Sequence, residues 1–100
     1  MIVVAGSFPV DPAKRDDVID AANTMRAATL LEDGCHEYRF AFATDDPGTL
    51  LVFEEWRDQE ALTAHFGAPH MAEFGAKVGG FVTGAPAISR YEVTDKGPLR

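Results

Sequence analysis

Two short runs, residues 35–42 and 50–56, constrain this 100-residue chain more than anything else in it. The first alternates strictly, with His36, Tyr38, Phe40 and Phe42 on one side of an extended backbone and Cys35, Glu37, Arg39 and Ala41 on the other. The second, Leu50-Leu51-Val52-Phe53-Glu54-Glu55-Trp56, has strand composition. Thr44-Asp45-Asp46-Pro47-Gly48 stands between them as a dense turn signal. So short a connection permits only an antiparallel hairpin.

The hairpin needs partners, and the flanking segments supply them. Ile2, Val3, Val4 and Ala5 form a β-branched start that ends at Pro9. Asp11 suits a helix cap and Pro12 a first turn, and Val18, Ala22, Met25 and Thr29 recur at helical spacing as far as Glu32, with Gly34 as the stop. This predicts an amphipathic helix of about twenty residues. After the hairpin, Asp58 caps a helix over residues 59–66, Gly67-Ala68-Pro69 breaks it, and a second segment carries Met71, Phe74 and Val78 to Gly79-Gly80. A last strand covers residues 88–93. The order β, α, β, β, α, β predicts an α+β ferredoxin-like sandwich, with two helices, the second broken near Pro69, covering one face of a four-stranded antiparallel sheet. One domain spans residues 1–95 and a polar tail residues 96–100. The other sheet face must meet water or a partner.

Composition narrows the partners. Sixteen acidic against nine basic residues give a net charge of −7, which repels phosphate backbones and anionic lipid, so neither nucleic acid nor membrane is expected. No apolar run approaches the ~20 residues of a spanning helix, and no basic, apolar leader opens the chain. The single Cys35 excludes an internal disulfide and suits a reducing cytoplasm. Metal is not expected either, because His36, His65 and His70 are scattered, and Glu73, three after His70, makes only an H-x-x-E. No Gly-rich loop runs from a strand into a helix, so no nucleotide, flavin or nicotinamide cradle is indicated.

Four motifs in order, Gly34-Cys35-x-x-Tyr38, Glu54-x-Trp56, Gln59-x-x-Leu62-x-x-His65 and Pro69-His70 with Phe74 a turn later, resemble the antibiotic biosynthesis monooxygenase family over nearly the whole chain. The resemblance implies a dimeric α+β barrel in which two ferredoxin-like units join their sheets. It also implies a cofactor-independent monooxygenase that oxidises a phenol, quinol or polycyclic aromatic with O2. Relatives of the family that degrade haem use a first-strand asparagine, where this chain has Ala5, Gly6 and Ser7, so haem chemistry is not expected. Other relatives imply two alternatives, a non-oxidative isomerase of a small carbonyl compound or a ligand-binding stress protein without turnover.

Within that resemblance His65 is the expected base, an imidazole being matched to proton transfer near neutral pH. Trp56 would stack on a flat substrate and Tyr38 would orient or protonate a hydroxyl. Phe40, Phe53, Phe66, His70 and Phe74 would line the substrate pocket, although core packing is the alternative for each aromatic. Glu54 and Glu55 are adjacent on a strand and point to opposite faces, so they are no acid/base couple. A buried Glu54 would need a partner such as Arg39, Arg57 or Arg90. Cys35 is read as a small apolar residue rather than a nucleophile.

Overall fold

A computed structural model describes residues 1–100. Its elements run β1 (Ile2–Pro9), α1 (Arg15–Thr29), β2 (Cys35–Ala43), β3 (Asp46–Trp56), α2 (Gln59–Phe66), α3 (Pro69–Val78) and β4 (Ala87–Glu92). The four strands form one sheet in the order β2-β3-β1-β4, antiparallel throughout, with all three helices on one face. This is the expected α+β ferredoxin-like fold.

Local chemistry explains the elements and moves some boundaries. Asp11 caps as expected, its carboxylate accepting from the Ala13 N–H, but Pro12–Lys14 form a 3₁₀ turn before α1 begins. At the far end α1 stops at Thr29 rather than Glu32. Leu31 and Glu32 donate to the carbonyls of Ala28 and Thr29, a tightened last turn that leaves Glu32 outside the helix. Gly34 then turns the chain at φ +83°, a left-handed conformation that glycine adopts without strain, and an added Cβ there would sit 2.6 Å from the Ala61 methyl. The Asp58 carboxylate accepts from the Ala61 N–H and opens α2, and Pro69 opens α3.

The hairpin departs from plain alternation at both ends. Cys35 pairs with Trp56 and Glu37 with Glu55, so a bulge falls at His36. That extra residue turns His36 out to solvent and brings Cys35 to the helix-covered face, the reverse of the sides expected from the sequence. Glu37 occupies the kink, and its carboxylate accepts from the Tyr38 N–H at 2.9 Å. At the turn, Thr44 and Asp45 alone connect the strands, and Asp46-Pro47-Gly48 already belongs to β3. Asp46 organises that bulged start by accepting from the Gly48 N–H and the Thr49 hydroxyl, both at 2.8 Å.

The core lies between sheet and helices in two clusters. One joins Phe8, Val10, Val18, Ala21, Leu50, Val52 and Phe81. The other joins Ile2, Val4, Met25, Tyr38, Trp56, Ala61 and Leu62, at the end where β1 begins, β3 ends and the loop after α1 crosses. Leu51, Phe53 and Tyr91 stay exposed on the uncovered face, at 41, 40 and 52%.

Candidate active site

The residues singled out for chemistry meet in the second core cluster. Trp56 ends β3, Tyr38 lies beside Glu54 across the β2–β3 ladder, and α2 carries His65 over both. The His65 ring centre is 4.8 Å from that of Trp56 and 5.5 Å from that of Tyr38. All three side chains are enclosed: Trp56 is 0%, His65 1% and Tyr38 3% exposed.

An imidazole buried this deeply requires a polar partner. Glu32, from the loop after α1, supplies it, with Oε2 lying 2.6 Å from His65 Nδ1. The same oxygen is 2.7 Å from Nε2 of His70, at the start of α3. A carboxylate can only accept, so both rings donate to Glu32 when neutral. His65 then carries its proton on Nδ1 and keeps the Nε2 lone pair as its basic site. Glu32 is the member of this candidate site that the sequence does not single out. It stands 33 positions before His65 and 38 before His70, and no local spacing connects them.

A further carboxylate, buried where Glu32 is only half-buried, is bound to the indole. Glu54 accepts from Trp56 Nε1 at 2.9 Å, so its partner is the tryptophan and none of the expected arginines. The indole N–H is thereby committed within the protein and leaves only the ring for stacking. Burial pushes the Glu54 carboxyl up to about 7, against the opposing pull of the Trp56 hydrogen bond and with help from the nearby Glu32 charge. Burial likewise drives the Tyr38 phenol well above its ordinary range, reinforced by Glu54, Cys35 and Glu32. Tyr38 therefore holds its proton at neutral pH. Cys35 is pushed up to about 11, chiefly by burial and then by Glu32, and so remains a thiol with no nucleophilic character.

Of the expected pocket residues, His70 and Phe74 join this centre. His70 stands 5.9 Å from His65 between ring centres, and Phe74 packs against the Tyr38 cluster and lies 5.5 Å from Phe40. Phe40 touches Tyr38 edge-on at 5.3 Å and reaches toward both core clusters. Phe66 is 6.1 Å from His65 but its side chain is largely exposed, because it falls on the outer side of the short α2. Phe53 does not join the group. It pairs with Ala5 and Arg39 on the uncovered sheet face, since strand alternation sends it away from Glu54 and Trp56.

Glu32, His65 and His70 place one oxygen and two imidazole nitrogens within 4.8 Å of one another, a donor set that suits a divalent cation in type. Separations of 2.6 and 2.7 Å are hydrogen-bond lengths, however. Ligands at ~2.0–2.2 Å around one ion would stand over about 3 Å apart, so the present arrangement is that of a carboxylate shared by two imidazoles. Neither His36 nor Glu73 belongs to it.

Comparison with known proteins places this architecture. Residues 1–77 match the family model for antibiotic biosynthesis monooxygenases. An uncharacterized protein of Synechocystis is 32% identical over 98 residues, 98% of this chain and 67% of its own length. The Escherichia coli protein named "Probable quinol monooxygenase YgiN" is 27% identical over 92 residues, 82% of this chain and 88% of its own. The solved structure of Rv0793 from Mycobacterium tuberculosis superposes with a TM-score of 0.86 at 30% identity, covering 97% of this chain and 98% of that one.

Proposed function

Because the chain belongs to the antibiotic biosynthesis monooxygenase family, we propose that it is a monooxygenase that oxidises a small phenol or quinol with O2, without a cofactor, at the buried His65 centre. One observation carries the reading. Glu32 holds His65 by its Nδ1–H and leaves Nε2 free on a ring centred 4.8 Å from that of Trp56 and 5.5 Å from that of Tyr38. His65 takes the phenolic proton, and the electron-rich phenolate passes an electron to O2. The resulting radicals combine to form a C–O bond, the ring carbon loses its hydrogen as a proton and the O–O bond breaks, so that one oxygen atom stays on the ring as a quinone carbonyl and the other leaves as water. The phenol supplies all four electrons, so no external reductant is needed. An apolar enclosure shields these intermediates from water.

The centre is closed, so substrate must displace something to reach Nε2. Support for α3 in that role comes from its packing, since it contributes no buried residue and its first turn carries His70, held to the centre by Glu32. We further infer that two copies pair through the uncovered sheet face, as the resemblance implies.

The test is oxygen uptake by metal-free protein against a panel of quinols and polycyclic phenols, with His65→Gln as control. Glutamine still reaches Glu32 with a donor but has no basic nitrogen. Wild-type uptake should fall by about 10²- to 10⁴-fold in the variant. Uptake that His65→Gln leaves unchanged removes the base from the mechanism. A second reading, isomerisation of a small carbonyl compound, is favoured by the proton that Tyr38 retains beside His65. It predicts exchange of carbon-bound hydrogen with solvent deuterium and no oxygen uptake.

A further inference from the structure

We propose that the cleft between α1 and β2 binds a small molecule that joins an apolar ring to an anionic head of the carboxylate class. The site lies beside the His65 centre and shares only Phe40 with it, and its occupancy does not depend on the oxygenase reading. The cleft encloses about 340 Å³, within the range of small-ligand sites. Its floor is apolar, built from Phe40, Phe42 and Leu50, and its rim carries Arg15 and Arg26 from α1 and Arg39, which stands on the uncovered face of the edge strand β2 and also borders this cleft. No acidic side chain lines it.

The charge pattern is what points to an anion. A chain of net charge −7 with six arginines gathers three of them around one apolar cleft. Their only acidic partner is Glu37, which lies 3.5 Å from Arg26 and 3.7 Å from Arg39. Both distances exceed the ~2.7–2.9 Å of a well-formed charge-assisted hydrogen bond. Arg15 has no carboxylate partner and spreads its guanidinium over the Phe42 ring at 4.2 Å, a flat surface suited to a second ring or a carboxylate. Arg26 Nε is buried and donates to no acceptor. A native donor in that state is costly, and an anionic oxygen entering the cleft would satisfy it.

The experiment titrates ¹⁵N-labelled protein with 2-naphthoate and, separately, with the uncharged 2-naphthamide, following amide shifts. The naphthoate should saturate shifts at Ala22, Phe40 and Phe42 and bind at least about tenfold more tightly than the amide. Arg26→Gln and Arg39→Gln should each weaken naphthoate about tenfold and leave the amide nearly unchanged. Should Arg26→Gln unfold because Arg26 also reaches Glu37, exposed Arg15→Gln must show the same selective loss. Equal affinity for acid and amide, insensitivity to all three substitutions, shifts confined to Leu51 and Phe53 on the opposite face, or no saturation at ~10 mM would each overturn the proposal.

Discussion

Glu54 makes the folded state sensitive to pH in a direction opposite to that of most carboxylates. Its carboxyl is raised from 4.5 to about 7 by burial, so between those values the native state holds a proton that the unfolded chain has released. The contribution of Glu54 to stability is therefore fully present below about pH 4.5 and declines as pH rises through about 7, by an amount on the order of 3 kcal/mol. Urea melts at pH 5 and pH 8 should show that decline, and Glu54→Gln should flatten it while still accepting the Trp56 N–H. A wild-type protein no less stable at pH 8 than at pH 5 would contradict this account. Glu32 gives a second prediction. Removing it as Glu32→Ala leaves His65 Nδ1–H buried without an acceptor, which should cost about 1–3 kcal/mol of stability and, on the proposed mechanism, at least about 10²-fold in turnover. Thermal melts and oxygen uptake check the two effects separately. Tyr38, Trp56 and His65 of the candidate site stand out in the sequence because each falls within a short motif, whereas Glu32 stands where a helical pattern ends. Its role depends on a chain reversal at Gly34 that brings it to α2, and no periodicity encodes that approach.

Elements were easier to read than their seams. The order of elements along the chain, the helical segments and the break at Pro69 all follow from turn residues and apolar spacing, because those signals are carried within each segment. The bulge at His36 could not be read, since its cause is a fit between β2, β3 and the Glu37 side chain rather than any feature of β2 alone. The one-residue insertion is enough to exchange the sides of His36 and Cys35. β4 shows the same dependence on a neighbour. All six of its residues are exposed, and it is held to the sheet through its ladder with β1. At Gly6 that ladder comes so close that an added Cβ would meet the Ala87 carbonyl oxygen at 2.2 Å and Ile88 Cα at 2.5 Å. Gly6→Ala should therefore push β4 away at a cost of about 1–3 kcal/mol. Hydrogen exchange should then accelerate at the β4 amides and leave those of β3 protected. Unchanged protection of β4 in the variant would show that the strand has slack which this close approach denies.

At the scale of the whole molecule, the unbalanced feature is the sheet face that no helix covers. Leu51 and Phe53 are exposed there beside Ala5, Ser7 and Ala41, around a shallow depression of about 490 Å³, and Tyr91 adds an aromatic ring from β4. A 100-residue chain has little core to spare, and pairing that face with its counterpart on a second copy would bury apolar surface that the fold leaves wet. Charge works against the pairing, since each copy carries −7. These two terms separate experimentally because salt screens the second and not the first. Sedimentation equilibrium should find a dimer at micromolar concentration that tightens between about 0.05 and about 0.5 M NaCl. Leu51→Asp sets a charge against its symmetry-related neighbours and should weaken the dimer by at least about 100-fold, while the far-UV spectrum stays unchanged because the residue faces away from the core. Phe53→Asp should act in the same way, and its position opposite the His65 centre means that oxygen uptake per folded monomer reports whether dimerisation matters to activity at all. A wild-type monomer at these concentrations, or a dimer indifferent to both substitutions, would move the interface off this face and leave its apolar residues without a role.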